Sequence, residues 1–150
     1  MSNKVDTKST TWFVAAIVLF ALIGLFDATY LTTEHYLNLT PVCLVTHGCD
    51  SVLTSSYATI FGIPVGLLGV VYYLSALAFT MATIRRPTKK LVTALALFTS
   101  LGFIASAGFV YLQLAVIKAI CFYCMISAAT STLIFLSALT HRRLNHHKLA

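Results

Sequence analysis

Four cysteines are the residues of this chain whose type and spacing point most directly to chemistry. Cys121 and Cys124 stand in the stretch Ile120-Cys-Phe-Tyr-Cys-Met125, a C-x-x-C at the edge of a long apolar run. Cys43 and Cys49 lie upstream, with five residues between them. Residues three apart share a helical face, so Cys121 and Cys124 can close a small ring. At a helix N-terminus, unpaired amides and the dipole stabilise a thiolate, the species that attacks a disulfide. Four thiols permit three chemistries: two permanent disulfides, a tetrahedral zinc site, or two pairs that exchange electrons. The loop pair is more widely spaced than the roughly two to four residues usual between zinc-binding cysteines, so no metal is expected. The setting of the C-x-x-C favours exchange. Phe122, Tyr123 and Met125 give it apolar surroundings suited to a lipid-soluble electron acceptor.

What must position these cysteines is membrane helix. The chain is 59% hydrophobic and 9% charged, against roughly 25% charged in a soluble domain. Too little polar surface remains to solvate a globule in water. Four apolar runs, at about 12–32, 63–84, 91–114 and 120–140, each reach the ~20 residues that a spanning helix needs. They are continuous rather than alternating, which excludes a barrel. The expectation is an all-α integral membrane protein, a single domain over residues 1–150 built as a four-transmembrane-helix bundle. The first run is longer than a signal-peptide core, and the residues after it make a poor cleavage site, so it reads as an uncleaved anchor.

The net charge of +6 invites a nucleic-acid reading, but its placement argues against one. Lys4 and Lys8 precede the first run, Arg85, Arg86, Lys89 and Lys90 separate the second from the third, and Arg142, Arg143 and Lys148 follow the fourth. Nine of the ten basic residues therefore fall on one side of a four-pass arrangement, and only Lys118 on the other. The positive-inside rule then places both termini in the cytoplasm. All four cysteines come out on the extracytoplasmic face of the plasma (inner) membrane, where disulfides persist. The loop at about 33–62 contains the breakers Asn38, Pro41 and Gly48. Its stretch Asp50–Tyr57 is expected to form a short helix lying over the outer mouth as a lid. A mobile arm of this kind would let Cys43 meet an external partner while Cys49 reaches Cys121.

Taken in order, Asp27-x-x-Tyr30-Leu31-Thr32, Cys43-x5-Cys49-Asp50, Ser55, Phe61-Gly62-Ile63-Pro64 and Cys121-x-x-Cys124 resemble the vitamin K epoxide reductase family, especially its prokaryotic members. The resemblance implies four helices around a quinone, with Cys121 and Cys124 as the catalytic pair and Cys43 and Cys49 as the shuttle pair. It implies a thioredoxin-like thiol oxidase of the DsbA type as partner and a respiratory quinone as acceptor, whether ubiquinone, menaquinone or a vitamin K-type molecule. The chain stops at Ala150, so that partner is expected to be a separate protein. Quinone contacts are expected from Phe61, Ser55, Phe122, Tyr123 and Asp27. Ala58 and Ala128 stand where vertebrate members carry an Asn and a Tyr that bond the quinone carbonyls, which implies looser, mainly apolar binding here. Asp27 is the one acid inside a span, and intramembrane ionisable groups are functional candidates. It suits proton relay or polarisation of the quinone site, or a hydrogen bond within the bundle. His47 reads as a tuner of Cys49 or as an ordinary loop histidine. Gln113 reads as a pocket residue or as bundle glue. Two other functions remain: a DsbB-type oxidase, which carries its C-x-x-C in the first outer loop, and a non-enzymatic subunit with static disulfides.

Overall fold

The computed structural model describes residues 3–39, 48–86 and 88–148. Cys43 and His47, and the interval between them, lie outside the described residues. The long elements are helices α1 (Asn3–Tyr36), α3 (Val65–Arg85), α4 (Lys89–Tyr111) and α5 (Phe122–Lys148). Between α1 and α3 stand a single-turn helix α2 (Cys49–Leu53) and a hairpin of β1 (Thr59–Ile60) and β2 (Ile63–Pro64). Four helical segments are long and apolar enough to cross a membrane: Thr11–Tyr36, Val65–Arg85, Lys89–Ile117 and Phe122–Leu144.

Local chemistry sets the boundaries. Past Tyr36 the chain takes a left-handed residue at Asn38, φ 53°, a conformation Asn tolerates better than most side chains. Pro64, φ −59°, caps α3 at its N-terminus, where its missing N–H costs nothing. Thr88 caps α4, its Oγ1 accepting the Leu91 N–H at 3.3 Å. The far end of α4 widens into a π-helical segment, Leu112–Ile117, closed by Lys118 in the left-handed conformation.

The four long helices form a ring in which α1 packs on α3, α3 on α4, α4 on α5 and α5 on α1. Its centre is small and close-packed: Ile17, Ala21 and Ala28 from α1, Tyr73 from α3, Leu95 from α4, and Ile134 and Ala138 from α5. Small residues let helix backbones approach closely where lipid offers no hydrophobic drive between helices. Tyr73 crosses the ring, its ring lying against Gly24 of α1. Its hydroxyl reaches α5, 2.9 Å from each of the Ser127 carbonyl, Ser127 Oγ and Thr130 Oγ1. Interhelical hydrogen bonds of this kind contribute on average roughly 0.6 kcal/mol each in membrane bundles.

The expected four-helix architecture is present, with differences at the edges. α1 extends well beyond the run at 12–32 on both sides, because Lys4 to Thr11 and Thr33 to Tyr36 contain no helix breaker. The loop helix is Cys49–Leu53 rather than Asp50–Tyr57. It stops early because Thr54 and Ser55 turn their hydroxyls back onto the Asp50 and Val52 carbonyls, at 2.7 Å each. The chain then folds into the hairpin, turned by Phe61, φ 52°, and Gly62, φ 80°. Two consecutive positive φ values are the signature of the tight turn that matches strand twist.

Candidate functional site

The π segment determines how α4 gives way to α5. A π turn shifts the hydrogen-bond register by one residue and leaves a carbonyl at its start for other partners. The Gln113 carbonyl accepts the N–H of Lys118 and that of Ala119, the latter at 3.1 Å. Its side-chain Oε1 accepts the Cys121 N–H at 2.9 Å. The chain therefore turns sharply, and Cys121 arrives as the capping residue of α5, its carbonyl accepting the Met125 N–H at 3.1 Å. Cys124 follows on the same face. Both are free thiols. Cys49 is disulfide-bonded.

The loop comes to this pair through direct backbone packing. Gly48 lies so close to Ile120 that a Cβ on it would sit 2.7 Å from the Ile120 carbonyl oxygen and 2.8 Å from its nitrogen. The next residue on each side of that contact is a cysteine. Cys49 and Cys121 are 1% and 0% exposed and share one buried cluster with Val52, rimmed by Leu53, Ile117, Ala119, Tyr123 and Cys124. Two sulfurs from distant parts of the chain are thus enclosed in a dry, apolar nest.

On the other side of Cys124 opens a cavity. Its wall is mainly apolar, from Ala28 and Leu31 on α1, Val52 and Leu53 on α2, Val65, Gly66 and Gly69 on α3, and Phe109, Leu112 and Ile117 on the α4 side. Its polar groups are few: His35, Ser55, Tyr57, Ser106, Gln113, Cys124 and Ser127. An apolar cleft with a handful of placed polar groups is the usual form of a small-molecule site. Towards the loop it adjoins a more polar cleft that shares Leu31, His35, Leu53, Ser55 and Ala58, and adds Glu34, Asp50 and Thr54.

Of the expected quinone contacts, Ser55, Ala58 and Ala128 line the cavity, as does the catalytic candidate Cys124. Phe61, Phe122, Tyr123 and Asp27 do not. Phe61 is fully exposed at the hairpin tip, where it takes a positive φ. Tyr123 packs on Tyr30 of α1 with centroids 5.1 Å apart, and Phe122 meets Tyr123 edge-on at 6.0 Å. Asp27 is 6% exposed beneath the site, its Oδ2 buried without a hydrogen-bond partner. Sequence reasoning missed His35, Tyr57, Ser106, Phe109 and Ser127 as wall residues. For two of these helices a signal existed. Ser127 follows Cys124 by three residues, and Ser106, Phe109 and Gln113 lie at helical spacing on one face of α4. Nothing in the sequence states that those two faces meet.

A flat cyclic acceptor with carbonyl oxygens would suit this arrangement. The wall offers apolar area for a flat ring and tail, a thiol beside it, and hydroxyl and amide donors for carbonyl oxygens. The family model described as the vitamin K epoxide reductase family matches residues 15–139, which takes in both cysteine pairs and the whole of the ring's packed centre. Members of that family are multi-pass membrane thiol–disulfide oxidoreductases that use quinones and typically work with thioredoxin-like proteins. By that match and by the two cysteine pairs it covers, this chain belongs to the vitamin K epoxide reductase family.

Proposed function

We propose that the protein is a quinone-linked thiol oxidase, which takes electrons from a thioredoxin-like partner outside the membrane and so supports disulfide formation there. The observation that carries this reading is the order of the sulfurs. Cys49 and Cys121 share a buried nest, and Cys124, one helical turn on, forms part of the cavity wall.

The chemistry follows from that order. A thiolate of the reduced partner attacks Cys43 of the Cys43–Cys49 disulfide, forming a mixed disulfide and releasing the Cys49 thiolate. The partner's second thiol resolves the mixed disulfide, so the partner leaves oxidised and the loop pair is reduced. Cys49 then attacks Cys121 of the oxidised C-x-x-C, forming Cys49–Cys121 and releasing Cys124. Attack by Cys43 on Cys49 restores the loop disulfide and leaves Cys121 and Cys124 as two thiols. Free thiols at Cys121 and Cys124 and a disulfide at Cys49 support this resting state. A bound quinone supplies a two-electron, two-proton acceptor. With it, Cys121 and Cys124 close their disulfide and the cycle is complete: partner dithiol plus quinone gives partner disulfide plus hydroquinone. Exchange rates depend on thiolate fraction and access, and burial of Cys49 against Cys121 keeps competing thiols out.

The test is reconstitution of the purified protein with a quinone and a reduced thioredoxin-like protein. Cys124→Ala is expected to abolish quinone reduction while Cys43 still forms an adduct with the partner. Quinone reduction by Cys124→Ala at the wild-type rate would overturn the order of events.

A further inference from the structure

Gln113 is the single glutamine of the chain, and it is committed at one end only. It is 2% exposed, and its Oε1 takes the Cys121 N–H. A backbone N–H can only donate, so the amide oxygen must face Cys121 and the nitrogen must face the other way. This fixes an orientation that is often ambiguous for glutamine. Nε2 has no hydrogen-bond partner among the described residues, nor is it among their enclosed, unpaired nitrogens. The side chain forms part of the same wall as Cys124 and Ser127. A two-hydrogen donor therefore borders the cavity, on the same planar group that grips the backbone of the catalytic dithiol. The main-chain carbonyl of Gln113 takes the Lys118 and Ala119 N–H groups, which fixes the backbone from which the side chain projects.

We propose that Gln113 is the carbonyl-recognising residue of the quinone cavity and at the same time a positioning residue for Cys121. One carbonyl oxygen of the quinone accepts from Nε2–H while Oε1 holds the Cys121 amide. Hydrogen bonds made through one amide group polarise each other and strengthen together. Occupation of the cavity and placement of Cys121 against Cys49 are then linked through a single side chain. The inference rests on the quinone reading of the cavity, and it assigns to Gln113 a donor role for which Ala58 and Ala128 have no polar atom.

Because the chain has one glutamine, protein labelled with 15N only at glutamine side chains gives a single NH2 pair in an NMR spectrum. In detergent, titration with a short-tailed ubiquinone analogue is expected to move one proton of that pair downfield and leave the other nearly in place. Gln113→Met, which removes the donor but keeps the length, is expected to raise the KM for the analogue about fivefold, the equivalent of one ordinary hydrogen bond. It should also lower the yield of a Cys49–Cys121 cross-link trapped in a Cys124→Ala background. A glutamine that only holds the turn would lose cross-link yield in Gln113→Met, yet show no response of its NH2 pair and no change in KM. That result overturns the assignment while leaving quinone binding intact. Wild-type protein that binds no analogue overturns the quinone reading itself, and this inference with it. The wild-type titration needs no variant to fold.

Discussion

At the scale of single residues, Asp27 stands out among the described residues as a buried acid with an unpartnered oxygen. A buried carboxyl oxygen without a hydrogen bond carries a desolvation cost that neither packing nor an ion pair offsets here. Its field reaches Tyr73 on α3 and both Cys121 and Cys124. Tyr73 in turn touches Ser127, which belongs to the cavity wall. A carboxyl that loses stability while standing beneath two reacting thiols has the profile of a functional group. Asp27→Asn keeps the size and removes the exchangeable proton. We expect it to leave the thermal midpoint within a few degrees of wild type, to slow quinone reduction at least about tenfold, and to flatten the dependence of that rate on pH. An unchanged rate and pH profile would make Asp27 a packing residue. Its position as a buried acid was legible in sequence, because one acid stands inside an apolar run. Its surroundings were not. Tyr73 and Ser127 come from other helices, and composition carries no record of which faces meet across a ring.

At the scale of elements, the contact of Gly48 with Ile120 decides whether the two cysteine pairs can react. Gly48 has an ordinary φ of −91°, so glycine is needed there for space and not for backbone freedom. Gly48→Ala would drive a methyl into the Ile120 backbone, and overpacking of that kind costs about 1–3 kcal/mol. The loop should retreat and take Cys49 with it. The Cys49–Cys121 cross-link is expected to fall about tenfold, while quinone reduction by a small dithiol should rise as the retreating loop uncovers Cys121–Cys124. Loss of both activities together would locate the damage in α5 instead. The same elements show why boundary reading failed where it did. The hairpin has strands of two residues, too short to display alternation, and its turn begins with a phenylalanine at positive φ. The π segment contains neither Gly nor Pro, and Lys118 adopts the left-handed conformation without either. By contrast, the spans carried their own signal in length and apolarity, and all four came out as long helices.

At the scale of the whole molecule, the question is which side of the membrane the two pairs face. The ring places both chain ends and the α3–α4 turn at one end, and α2, the hairpin and the start of α5 at the other, since four spans alternate in direction. Nine of ten basic residues fall at the first end. By the positive-inside rule that bias predicts a cytoplasmic first end. The proposed thiol oxidation requires the same orientation. A cysteine pair that must sit as a disulfide to accept electrons from a partner persists only on an oxidising face. Arg86 and Lys118 mark the two ends, and single cysteines at these positions in a chain otherwise free of cysteine report the orientation directly. A membrane-impermeant maleimide added to intact cells should label the Lys118→Cys protein and spare the Arg86→Cys protein, with both labelled after the cells are opened. The reverse pattern would put the loop pair among cytoplasmic thiols, where it would be held reduced and could not oxidise a partner. The charge distribution and the direction of electron flow therefore stand or fall on the same labelling experiment.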